Sequence, residues 1–88
     1  MTSYEFEMAA KKAVVDECKY IGENVIVEQV SIVFFAYTLG NIKATLIDGQ
    51  QNNRYYEVTY NKARDEMYFD MYAKLLNKKM TSNEFRGE

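Results

Sequence analysis

Between Ile32 and Tyr72 the chain passes through four short runs rich in Val, Ile, Thr, Tyr and Phe, separated by clusters of Gly, Asn, Gln and Asp. That pattern limits the fold more than any other feature, because β-branched and aromatic runs punctuated by turn formers specify consecutive strands. The runs are Val33–Leu39, Ile42–Asp48, Tyr55–Tyr60 and Glu66–Tyr72. The breaks between them are Gly40–Asn41, Gly49–Asn53 and Asn61–Asp65, all short enough for hairpins. Four strands joined in sequence by hairpins predict an antiparallel meander.

A two-residue turn at Gly40–Asn41 sets the first register. It predicts Leu39 opposite Ile42, Tyr37 opposite Ala44, Phe35 opposite Leu46 and Phe34 opposite Ile47. Successive side chains on a strand point to opposite faces, so a slip of one residue would turn a whole apolar set outward. Keeping the apolar sets together predicts one core face with three rows. They are Leu39, Ile42, Tyr60 and Met67; Tyr37, Ala44, Val58 and Phe69; and Phe35, Leu46, Tyr56 and Met71. The other face carries Phe34, Ile47, Tyr55 and Tyr72; then Ala36, Thr45, Glu57 and Asp70; then Thr38, Lys43, Thr59 and Tyr68.

Ahead of the strands, Thr2 and Glu5 have the spacing of a capping box. Tyr4 to Ile21 then reads as a helix, with Phe6, Ala9, Ala10, Ala13, Val14, Tyr20 and Ile21 on one apolar stripe. The alanines allow that stripe to lie close to a sheet. Gly22 is the C-cap candidate. Glu17 falls within the stripe, either at its rim or accepting a hydrogen bond from a core tyrosine such as Tyr37 or Tyr60. Val25–Val27 is an extended lead-in or the beginning of the first strand. Ala73–Met80 either extends the last strand or forms a short helix. The expected architecture is a single α+β domain, residues 1–88, in two layers with cystatin-like arrangement: helix 3–21, sheet about 30–75, loose tail 81–88. That likeness is architectural and carries no function.

With 88 residues there is room for one modest core. The net charge of −2 argues against a protein that lives by phosphate contacts, so direct nucleic-acid binding is not expected. One cysteine, Cys18, excludes an intramolecular disulfide framework and fits a reducing compartment. No basic region followed by an apolar run marks a signal at the N-terminus, and no stretch is long enough to span a membrane. The expected location is the bacterial cytoplasm.

Catalytic chemistry has little to stand on. There is no histidine, which removes the usual general base and the commonest zinc ligand. Cys18 alone makes no metal site, and no Gly-rich phosphate loop occurs. The register places Glu57 opposite Asp70, with Lys43 diagonal to Glu57 to relieve the repulsion. Neither a hard-metal site nor a glycosidase-type carboxylate pair is expected on so open a surface. No cofactor is expected. The aromatic row on the outer face is the candidate recognition surface, since contiguous exposed apolar residues mark partner sites. The candidate contact residues are Phe34, Lys43, Ile47, Tyr55, Glu57, Tyr68, Asp70 and Tyr72. Cover by Leu75, Leu76 and Met80, or by a second copy in a homodimer, is the structural alternative.

The residues Thr38–Leu39, Asn41, Lys43–Ala44, Tyr55–Asn61 and the Glu66, Tyr68, Asp70, Tyr72, Lys74 series resemble an uncharacterised family of small proteins from phages and prophages of Gram-positive bacteria. The match covers Val33 to Asn77. The family pattern has Trp where this chain has Phe34, Cys for Ala36 and Lys for Tyr37. The resemblance implies phage origin and no known activity. Together with the aromatic face, it leads to the expectation of an accessory protein, not an enzyme, that binds and inhibits a host protein. A defence component such as a CRISPR effector is the kind of target expected, blocked by steric occlusion. The alternatives are sequestration of a small signalling nucleotide and a self-assembling structural role.

Overall fold

The computed structural model describes residues 1–50 and 53–73, together with Thr81, Asn83 and Gly87. Helix α1 spans Ser3–Tyr20, a short 3-10 turn spans Val27–Gln29, and four strands follow: β1 Ser31–Thr38, β2 Asn41–Ile47, β3 Arg54–Asn61 and β4 Glu66–Ala73. The sheet is antiparallel in the order β1-β2-β3-β4, with α1 on one face. This is the α+β meander expected. The proposed continuation past Ala73 and most of the tail lie outside the described residues. Among those described, no helix is long and apolar enough to cross a membrane.

The helix starts as the sequence predicts. Thr2 Oγ1 accepts from the Glu5 amide at 3.1 Å, and Glu5 Oε1 accepts from the Thr2 amide at 3.0 Å, closing the capping box. These hydrogen bonds to Thr2 hold the Glu5 carboxyl below its ordinary pKa. At the other end Gly22 takes φ +88°, its amide reaches Lys19 O, and the Glu23 amide reaches Cys18 O at 2.8 Å. That pair of bonds is a Schellman closure. It turns the chain back so that Glu23 lies beside the end of the sheet.

The three later strands keep the predicted register: Ile42 pairs with Tyr60 and Tyr60 with Met67, Ala44 with Val58 and Val58 with Phe69, Leu46 with Tyr56 and Tyr56 with Met71. The first strand does not. Thr38 pairs with Asn41, so the two-residue turn is Leu39–Gly40 and not Gly40–Asn41. Tyr37 faces Ile42 and Phe35 faces Ala44; a bulge at Val33 then puts Ile32, not Phe35, opposite Leu46. Two observations account for the shift. Asn41 Oδ1 accepts from the Lys62 amide at 2.9 Å, which fixes Asn41 as a strand residue tied to the β3–β4 turn. The bulge places half-buried Ile32 against the core while Leu39, 88% exposed, sits at the turn tip.

The core is centred on the middle of the sheet. Phe6, Ala10, Val14 and Cys18 are fully buried, and they meet Ile42, Ala44, Leu46, Tyr56, Val58 and Tyr60 of β2 and β3. Residues four apart form one oblique ridge along a helix, so α1 covers a narrow band. Within the predicted stripe, Tyr20 is 86% exposed and Ile21 is exposed, whereas Cys18 takes the inward position. Phe35 on β1 meets the helix in an edge-on contact with Phe6, and Tyr37 and Met71 remain exposed.

Leu39 and Gly40 have φ of 53° and 84°, the positive values at both central positions that a type I′ turn requires. Gly40 suits that turn and Leu39 does not. Leu39→Asn is expected to raise stability by roughly 0.5–1 kcal/mol, read as an upward shift of the urea midpoint at unchanged m-value.

Candidate functional site

The outer sheet face brings most of the candidate residues together. Tyr55 pairs with Tyr72 across β3–β4, and their rings stack at 5.0 Å with planes 15° apart. Ile47 lies on the same face at the end of β2, and all three are exposed. Next to them Glu57 and Asp70 stand directly opposite each other, as the register predicts. Lys43 Nζ reaches Glu57 Oε1 at 3.0 Å and offsets part of the repulsion. The hydrogen bond to Glu57 raises the Lys43 pKa. Asp70 beside it raises the pKa of Tyr72. Tyr68 shares the face further along β4, and its hydroxyl donates to Glu66.

Phe34 does not join this row. The slip in β1 sets it opposite Thr45, in line with Glu57 and Asp70, while Ser31 faces Ile47. The aromatic surface is therefore built from β2, β3 and β4, and Phe34 stands apart near the β1 edge. Leu75, Leu76 and Met80 lie outside the described residues.

A second cluster lies at the same end of the sheet but on the helix-covered face, where the C-terminus of α1 meets the end of β2. Asp48 is 1% exposed, yet its Oδ2 accepts from the Tyr56 hydroxyl at 2.7 Å and from Arg54 Nη2 at 3.3 Å. Its Oδ1 accepts from the Gln50 amide at 3.0 Å. Arg54 Nη2 also binds Glu23 Oε2. The Cys18 thiol stands 3.3 Å from the Tyr56 hydroxyl and 3.7 Å from Asp48 Oδ2. Two carboxylates thus share one guanidinium, which is how a buried charge is tolerated. Cys18, Glu23 and Asp48 have ligand atoms within 4.8 Å of one another. Arg54 already supplies the positive charge there, and the cluster reads as a structural junction between helix and sheet. Of the two places expected for Glu17, the structure takes the first, at the rim of the stripe, and the core tyrosines meet other carboxylates. Tyr56 binds Asp48, Tyr60 donates to Asp65 at 2.7 Å, and Glu17 stays half-buried at the helix rim. The only sequence signal for the junction was an Asp at the inward-facing end of a strand.

Burial drives the Cys18 thiol above its ordinary pKa of 9.0, and burial first, then its hydrogen bonds to Cys18 and Asp48, drives the Tyr56 phenol well above 10.0. Both groups hold their protons in the fold at pH values where the unfolded chain loses them. Their contribution is complete below pH 9 and is lost as pH rises past 9 and then 10. Urea unfolding across that range is expected to show the decline, beginning at higher pH in Cys18→Ala. Asp48→Ala leaves Arg54 and Tyr56 short of a buried acceptor and is expected to cost about 3 kcal/mol. Tyr56→Phe keeps the ring and is expected to cost about 1–2 kcal/mol in the same measurement.

Comparison with curated proteins and comparison with solved structures both find no match. A family model does match, over residues 7–82, which run from within α1 past the end of β4. The chain belongs to that family, DUF6275, a family of unknown function.

Proposed function

We propose that this is a non-catalytic binding protein that engages a protein partner through the outer sheet face. The observation that carries the reading is the Tyr55–Tyr72 stack, exposed beside the opposed carboxylates Glu57 and Asp70. Stacked tyrosines give a rigid amphipathic anchor that loses little entropy on binding. The carboxylates give it a sign. Lys43 compensates Glu57, so Asp70 is the charge best placed to meet a Lys or Arg of the partner.

The narrower form of the proposal is a phage-encoded accessory protein that inhibits a host protein, with a defence component as target, by covering its working surface. Its support is that Lys43, Tyr55, Glu57, Asp70 and Tyr72, which carry the resemblance to the phage family, share this one face. A signalling nucleotide draws less support. Lys43 is the one cation on the outer face of the described strands, and Glu57 already holds it.

The test is capture from a Gram-positive host lysate, followed by an activity assay of the captured protein. One host protein recovered in near-equal amount and inhibited at stoichiometric addition supports the reading. Tyr72→Ala is expected to weaken its binding at least about tenfold, and Asp70→Lys to weaken it further at low salt. Unchanged binding by both variants, with fold intact by circular dichroism, removes the outer face as the site.

A further inference from the structure

Residues 29–42, which include all of β1, carry no charged side chain. Among the described residues β1 is also an edge strand, paired with β2 on one side only. Natural sheets blunt such edges with Lys, Pro, bulges or inward-pointing charge, because an open edge templates pairing with another chain. β1 uses one of these devices, the bulge at Val33, and only near its beginning. Beyond it, Phe34 to Thr38 forms a regular apolar stretch in which Phe34 and Tyr37 are more than half exposed and Phe35 is 36% exposed. The opposite edge differs, since β4 carries Glu66 and Asp70.

We infer that β1 is a homodimer edge, pairing antiparallel with β1 of a second copy to form one continuous eight-stranded sheet. The neutrality of the strand argues for a copy of this chain as the occupant. Any two-fold pairing within it brings no like charges together, whereas pairing at β4 centred on Asp70 would oppose two carboxylates. A two-fold axis perpendicular to a sheet requires one residue to meet itself. Ala36 is the residue that fits, because its small side chain allows close approach. Centred there, Phe35 of each copy faces Tyr37 of the other on the helix side, and Phe34 faces Thr38 on the outer side. The exposed ring of Tyr37 and the half-covered ring of Phe35 then cover each other, an aromatic cross-strand pair of the stabilising kind. The pairing leaves the Tyr55–Tyr72 surface open on both copies, so it stands apart from the function proposed above. It also accounts for Phe34, which the outer row leaves out.

Sedimentation equilibrium of the native chain tests it. The expected mass is twice the monomer's 10.3 kDa. Tyr37→Lys, at an exposed position, is expected to raise the dissociation constant at least about tenfold with an unchanged circular dichroism spectrum. Under mild oxidation Ala36→Cys is expected to give a covalent dimer. Opposed strand positions lie roughly 4.5–5.5 Å apart between Cα atoms, within disulfide range, and native Cys18 is buried. Thr38→Cys, set opposite Phe34, is expected to stay monomeric on a denaturing gel. A native chain that remains at monomer mass up to millimolar concentration overturns the inference. So does a dimer indifferent to Tyr37→Lys and not cross-linked by Ala36→Cys, because it is then formed through another surface. Open-ended association overturns it as well.

Discussion

One helix cannot cover four strands, and the consequences of that shortfall run through the molecule. The inward ridge of α1 packs mainly on the central pair, and the fully buried sheet residues belong to β2 and β3. β1 and β4 contribute half-buried side chains at best: Ile32 on one, Met67 and Phe69 on the other. Stability is concentrated in the middle of the sheet, while the outer face and both edges keep large apolar groups in contact with water. The apolar surface left in water therefore lies where the core is thinnest.

The junction around Asp48 compensates for the narrow helix contact. Burying a carboxylate is costly unless several donors meet it, and here Tyr56, Arg54 and the Gln50 amide all do so. Each donor comes from the sheet or its hairpin loop, while Cys18 and Glu23 bring the helix end into the same network. The Schellman turn at Gly22 makes this possible, since it is what returns Glu23 towards Arg54. The helix is therefore held at its C-terminal end by directional bonds and along its length by apolar contact.

Much of this was readable in the sequence. Period-two alternation placed all four strands, and the apolar sets fixed β2, β3 and β4 against one another, because a slip there would expose Val58, Leu46 or Phe69. The same logic failed for β1. An edge strand has one neighbour, and a shift by two residues keeps every side chain on its face, so the apolar pattern could not distinguish the two registers. What distinguished them was the Asn41 hydrogen bond to the Lys62 amide, a contact between residues that no local pattern connects. The Glu57–Asp70 opposition, the Lys43 bridge and the Tyr55–Tyr72 pair followed from the secure part of the register; Phe34 fell with the insecure part. The junction left a single trace in the sequence, Asp48, for a related reason: its members come from a helix, a lead-in, a hairpin loop and a strand.

The connectivity gives that junction a further meaning. Turns of a few residues join the strands of the meander, so its pairing closes small loops. Cys18 and Asp48 lie 30 residues apart, and Cys18 and Tyr56 38 apart. Closing a loop of that length costs roughly 2 kcal/mol more chain entropy than closing a four-residue turn. The cluster is thus a long-range fastening between helix and sheet, a cross-link made of charge and hydrogen bonds where a small extracellular domain would use two cysteines. Reducing agents that open a disulfide leave this fastening shut.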